Sequence, residues 1–171
     1  MEMIHHAYPV TLFTAARLFE GTYQPMGALL GDINDPEKGD FYITDATFTA
    51  IAQDSKFPPV SVPEVVVRKH DTLFFYFEDE SVEEQFRLLT RVENVVVYTA
   101  TFALRGNFHL GAEQKIRDMF DTMRGDFQPM TDVTIFPLVQ PRIAIPREQK
   151  MLLINTKNIL FYHPVIAEET E

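Results

Sequence analysis

Apolar positions along the chain fall in short, strand-like runs far more often than at helical spacing. Val10 to Phe19 and Val95 to Leu104 are rich in Val, Phe, Tyr and Thr, side chains that suit a pleated surface. Each run is followed by a glycine, Gly21 or Gly106, and then by a short apolar stretch such as Asn107-Phe108-His109-Leu110. A glycine there predicts a bulge or tight bend between two strand pieces. Helical spacing comes next: Ile116, Met119, Phe120 and Met123 stand at i, i+3, i+4 and i+7, with Gly125 as a C-terminal cap. The earlier equivalent keeps Leu30 and Ile33 on such a face, and Pro36 limits it to one or two turns. A strand ending in Thr-Asp-(Ala/Val)-Thr and a proline-bearing loop follow in both places. Two further strands close each set: Val60 to Arg68 with Thr72 to Phe77, and Ile143 to Ile154 with Asn158 to Tyr162. The links His70-Asp71 and Thr156-Lys157 are short enough for hairpin-like turns.

These two sets of elements predict an internal duplication. Val10, Thr14, Ala15 and Gly21 match Val95, Thr99, Ala100 and Gly106 at a shift of 85. Gly39-Asp40-Phe41 matches Gly125-Asp126-Phe127 at 86, and Thr44-Asp45-Ala46-Thr47 matches Thr131-Asp132-Val133-Thr134 at 87. Pro58 and Pro63 match Pro141 and Pro146 at 83, and Leu73-Phe74-Phe75-Tyr76 faces Ile159-Leu160-Phe161-Tyr162 at 86. The shift changes only between blocks, as it does when insertions lie in loops. The expected organisation is a first β-rich repeat over 1–77, an acidic linker over 78–94 and a second repeat over 95–171. In the linker, Ser81 and Glu84 form a Ser-x-x-Glu capping box, which predicts a short helix from Val82 to Leu89 that buries Val82, Phe86 and Leu89. The tail Glu168 to Glu171 is expected to fray.

A unit of roughly 70 residues with about five short strands, one short helix and a closing hairpin predicts a small, partly open barrel of SH3-like or Sm-like type. Phe41-Tyr42-Ile43-Thr44-Asp45-Ala46-Thr47 resembles the first signature of Sm-like proteins. Val65-Val66-Val67-Arg68-Lys69-His70-Asp71-Thr72-Leu73-Phe74-Phe75 resembles the second, as does Leu152-Leu153-Ile154-Asn155-Thr156-Lys157-Asn158-Ile159-Leu160-Phe161. The chain departs from that family in placing its helix between strands and in lacking the RNA-contacting residues. Each repeat is also similar to short bacterial domains of unknown function, a resemblance that implies no activity. The fold expectation is therefore mainly β, a tandem pair of small barrels packed as a pseudo-two-fold pair.

Charge and composition then narrow the function classes. The chain has 15 basic and 25 acidic side chains and a formal charge of -10. Residues 1–77 carry net -5, 78–94 net -4 and 95–171 net -1. Such acidity argues against nucleic-acid binding, which needs cations on the phosphates. Arg142, Arg147, Lys150 and Lys157 are read as solvated loop and edge residues. No apolar run approaches the roughly 18 residues of a membrane span. Met1 to Val10 has no basic or apolar leader region, so a cytoplasmic location is expected. Zero cysteines exclude disulfides, thiolate metal sites and cysteine nucleophiles.

No residue set carries a catalytic, metal or cofactor assignment. His5 and His6 are adjacent and would point to opposite faces of a strand, and His70, His109 and His163 are scattered. Asp40 with Asp45, and Asp126 with Asp132, read as turn residues bonding their own backbone. Ser55, Ser61 and Ser81 lie in no nucleophile elbow, and no phosphate-binding glycine loop exists. The run Leu73, Phe74, Phe75, Tyr76 and Phe77 is apolar on both faces and marks a candidate interface. The expected function is a non-enzymatic protein-interaction or regulatory module, binding a protein partner or itself through strand edges or this aromatic segment. An exposed patch at Phe74, Phe75 and Tyr76 would mark it. The alternatives are a small-ligand binder using a cleft between repeats, with Arg142 or Arg147 at its mouth, and a divergent Sm-like nucleic-acid binder.

Overall fold

Thr14 and Thr99 set the first chain reversal of each half. Each hydroxyl accepts a hydrogen bond from the backbone N–H three residues on, Arg17 and Phe102, both at 3.1 Å, and so closes a tight turn. The strands therefore break at Ala15-Ala16 and Ala100-Thr101, ahead of the glycines that were expected to mark the break.

The computed structural model describes residues 6–165. The tail from Glu168 and His5 lie outside them. The first half runs β1 (Tyr8–Thr14), β2 (Arg17–Tyr23), α1 (Leu29–Ile33), β3 (Asp40–Ala50), β4 (Val60–Arg68), a 3-10 turn (Lys69–Asp71) and β5 (Thr72–Phe77). After a 3-10 turn at Glu80–Gln85, the second half runs β6 (Arg91–Tyr98), β7 (Phe102–Leu110), α2 (Ile116–Thr122), β8 (Phe127–Pro137), β9 (Glu148–Asn155), a 3-10 turn (Thr156–Asn158) and β10 (Phe161–Pro164). The described chain is mainly β. Its ten strands form one open antiparallel sheet in the order β10-β6-β7-β8-β9-β5-β1-β2-β3-β4. None of its helices is long and apolar enough to cross a membrane.

Gly21 and Gly106 lie inside β2 and β7 and serve a bulge on the next strand. Between the pairs Glu20↔Thr47 and Thr22↔Thr44, β3 advances three residues against two on β2. The pairs Arg105↔Thr134 and Asn107↔Thr131 repeat this count. The extra residue falls beside Asp45 and Asp132, the only non-glycine residues with positive φ among those described, at 47° and 51°. Aspartate tolerates that conformation better than most residues. A Cβ on Gly21 would lie 2.7 Å from the Thr44 carbonyl, and one on Gly106 3.1 Å from that of Thr131. Asp45 and Asp132 are thus strand-bulge residues rather than the turn residues expected.

Local helical details also differ from expectation. In α1 the buried residues are Leu29 and Ile33, while Leu30 faces outward. α2 ends at Thr122, and Gly125 instead adopts a φ of 86° where Asn34 packs closely against it. In the linker, Asp79 rather than Ser81 is the cap, accepting from the Ser81 N–H at 2.9 Å, and the turn is 3-10 rather than α. Val82 and Phe86 are buried there, but Leu89 is exposed.

The 3-10 turns are not hairpins. β4 pairs with β3, whereas β5 pairs with β1 and β9. Each turn therefore carries the chain between opposite edges of a five-strand run. The order of strands in the two halves is the same, and they join through unlike strands, β9 to β5. A two-fold pair would join like strands. The expected pseudo-two-fold is replaced by a head-to-tail relation.

The core forms two clusters on opposite faces of the central strands. Leu73, Phe74 and Tyr76 of β5 enter the cluster built mainly by the second half, with Val95, Phe102, Leu104 and Ile154. Phe75 enters that of the first half, and Leu153 of β9 joins it there. Each half thus lends side chains to the other's core.

Candidate functional site

The aromatic strand taken as a candidate interface lies inside the chain, between β1 and β9. Phe74 pairs with Ile154 and Phe75 with Leu153 across the junction, and both phenylalanines are buried. Phe74 stacks on Phe13 at 4.5 Å and meets Phe102 edge-on at 5.2 Å. The exposed patch at Phe74, Phe75 and Tyr76 that would mark such a module is therefore not found; Phe74 and Tyr76 are buried in one core cluster and Phe75 in the other.

The pairing fixes which residues hold the same position in each half. Thr14 and Thr99 close equivalent turns, so Phe13 corresponds to Tyr98. Phe13 pairs with Phe74, and Tyr98 pairs with Phe161. Phe161, one residue beyond the alignment made from sequence, is thus the counterpart of Phe74, and Leu160 that of Leu73. On the other side, Thr44 pairs with Glu64 and Thr131 with Met151, so Val66 corresponds to Leu153. Leu73, Phe74 and Leu153 are at most 4 % exposed, whereas Leu160 is 67 %, Phe161 58 % and Val66 47 % exposed. The residues that seal the internal junction thus have apolar counterparts exposed on β10 and β4, the two edges that no other described strand pairs. The sequence carries no signal for these residues, because alternation along a strand does not say whether its edge is covered.

Asparagines clamp the junction. Asn155 is buried, and its amide donates to the carbonyls of Lys69 (3.1 Å) and Thr72 (3.0 Å) while its oxygen accepts from the Lys157 N–H at 3.0 Å. Asn158 donates to the His70 and Thr72 carbonyls at 2.8 and 2.9 Å. Asn34, just past α1, exchanges two hydrogen bonds with the backbone of Phe127, at 3.0 and 2.9 Å. It stands in for a strand residue across the halves.

A cleft of about 600 Å³ opens beside these clamps, lined among others by Lys38, Lys69, His70, Arg124, Asp126 and Lys157. Lys69 is the least exposed cation in it. Its ammonium sits 5.1 Å from the Phe41 ring centre and donates to the Asp32 carbonyl at 3.2 Å. Burial pulls its pKa below the usual lysine value, against the attraction of Asp32 and Asp35. Asp32 accepts hydrogen bonds from Lys38 and from the Tyr23 hydroxyl. Burial alone would raise the Asp32 pKa, but these bonds hold it below the usual carboxylate value. A second cleft, of about 330 Å³, is mainly acidic, with Glu78, Asp79, Glu80, Glu83 and Glu148 around Lys150.

The remaining sequence candidates lie apart. Arg142 is tied down, donating to the carbonyls of Ser55 (3.1 Å) and Phe57 (2.6 Å). The Arg147 carbonyl accepts from Ile135, and neither arginine lines either cleft. Lys150 pairs with Glu83 at 3.0 Å, and Arg68 with Asp40 at 3.0 Å. His109 bridges the Leu89 carbonyl and the Thr131 hydroxyl, His163 meets Tyr98, and His70 meets Asp71. Comparison with protein-family models, curated proteins and solved structures finds no match to the chain.

Proposed function

We propose that the chain is a tandem duplication of a small, partly open barrel of SH3-like or Sm-like type that acts as a non-enzymatic protein-interaction module through its two free sheet edges. Three features support the duplication: the repeated element order, the paired bulges at Asp45 and Asp132, and the equivalent Thr14 and Thr99 turns. The 3-10 turns support the barrel. Opposite edges of a flat five-strand run stand about 19 Å apart, yet a three-residue 3-10 turn rises only about 6 Å. Each run must curl for Lys69–Asp71 or Thr156–Asn158 to join its edges.

The observation that carries the interaction reading is the exposure of Val66, Leu160 and Phe161 on edges unpaired among the described residues. Strand addition satisfies such edges through main-chain hydrogen bonds, with side chains giving selectivity. Panning a library of extended peptides against the full chain tests this. Binders that slow amide exchange in β4 or β10 support it. Binders that protect other strands, or none at all, contradict it.

A second reading places a small anionic ligand in the basic cleft. Lys69, half-buried over Phe41 in a chain of charge -10, favours it. Titration with inorganic phosphate, followed by NMR, should shift the Lys69 and Lys157 signals at millimolar concentrations, and Lys69→Met should weaken that response. Unchanged signals would contradict this reading.

A further inference from the structure

From the internal junction, and resting on the edge-binding reading above, we infer that the partner of each free edge is a second copy of this chain, joined head to tail with β10 of one copy against β4 of the next. The junction already displays the required contact. There β5 lies antiparallel to β9, with Phe74 opposite Ile154 and Phe75 opposite Leu153. β10 holds the position of β5, and β4 holds that of β9. Transferring the register places Phe161 opposite Val67 and Tyr162 opposite Val66 of the next copy.

The side chains fit this arrangement on both faces. At the junction, Phe74 reaches into the core of the half that owns β9, and Leu153 reaches into the core of the half that owns β5. Phe161 and Val66 stand ready for the same exchange. Tyr42, paired with Val66 on β3, is also exposed and widens the apolar strip on the β4 side. Leu160 and Phe161 line an apolar groove with Phe120 and Ile159 on the β10 side. Pro63 lies beyond the segment this register pairs, and Pro164, which lacks an N–H and falls opposite Glu64, confines the pairing to Phe161, Tyr162 and His163.

The contact is weaker than the junction it copies. Arg68 and Asp71 stand where Asn155 and Asn158 clamp the internal seam, and a carboxylate cannot donate to a carbonyl. Association is therefore reversible. Because the two edges differ, it can continue from copy to copy, closing into a ring or running as a filament.

The chain has no cysteine, so disulfide trapping is clean. Residues directly opposite on antiparallel strands lie within disulfide reach. Full-length Val66→Cys and Tyr162→Cys chains, mixed in a glutathione redox buffer, should form a mixed dimer, and neither should cross-link when alone. Self-cross-linking of either single variant would overturn the head-to-tail register while leaving edge binding intact. No cross-link in the mixture, with the untouched chain monomeric at every concentration, would overturn self-association; peptide footprinting on β4 or β10 then judges the edge reading separately. Phe161→Glu and Val66→Glu, both at exposed positions, serve as variants that keep the fold. Each should abolish concentration-dependent association with circular dichroism unchanged, and association that survives both would overturn the proposal.

Discussion

Phe74 and Phe161 hold the same place in the two halves, opposite Phe13 and Tyr98, yet one is sealed at a strand junction and the other stands on a bare edge. Their truncations should differ accordingly. Phe74→Ala removes a fully buried ring and should destabilise by about 3–5 kcal/mol. Phe161→Ala should change the stability of the monomer by no more than about 0.5 kcal/mol. Urea denaturation at a concentration low enough to hold the chain monomeric measures both, and equal losses would contradict the assignment of Phe161 to a free edge.

Asn155 donates to two backbone carbonyls across the junction, those of Lys69 and Thr72. Asn155→Leu keeps the bulk but leaves those acceptors without its amide. Asn158 still serves Thr72, so the loss should be about 2–3 kcal/mol, close to the penalty of one buried unsatisfied group. A change under about 0.5 kcal/mol in the same denaturation assay would show that the clamp does not hold the junction.

The bulges make opposite demands on their two residues. Gly21→Ala should destabilise by about 1–3 kcal/mol, and more than Gly106→Ala, because its Cβ meets backbone oxygen at the shorter distance. Asp45→Gly should be neutral or stabilising, whereas Asp45→Val should cost about 1–2 kcal/mol for its left-handed backbone. Thermal melts of the four variants test the order, and a stabilised Asp45→Val would refute it.

Asp32 gives the fold an acid-sensitive tie. Burial raises its pKa, but the bonds from Lys38 and Tyr23 more than offset this and hold it below the unfolded value. A lowered carboxylate pKa adds stability that is complete above the unfolded value and is lost as pH falls through the folded one. Asp32→Asn should therefore be less stable than the native chain near neutrality, and the gap should close in strong acid. Urea midpoints measured across that range check this, and a gap independent of pH would contradict it.

Strand positions could be read from residue chemistry where the pattern is local. β4 and β5 fall at Val60 to Arg68 and Thr72 to Phe77 as expected, because Pro58-Pro59 precede a valine-rich run and the polar His70-Asp71 and Glu78-Asp79 flank an aromatic one. The first turns were misplaced because Ala15-Ala16 has no glycine, proline or asparagine, and the signal is the Thr14 hydroxyl before it. The hairpin expected at His70-Asp71 fails for a topological reason: a short link sets how close two strand ends lie, not whether the strands pair. The sequence match at β10 is off by one because Phe75-Tyr76 and Phe161-Tyr162 are identical at a shift of 86, whereas the pairing sets Phe161 opposite Tyr98 as Phe74 lies opposite Phe13. The two-fold expectation fails because similar units can pack like to like or head to tail, and only the β9–β5 pairing distinguishes these. Arg142 looked free in sequence, but the carbonyls that engage it lie 85 and 87 residues away.

The most direct test is the mass of the full chain in solution, by light scattering across a dilution series. Association through the free edges predicts a mass that climbs in multiples of 19.7 kDa with concentration and returns to one copy on dilution. A mass of one copy throughout would contradict it, leaving the exposed edges at β4 and β10 without this chain as their partner.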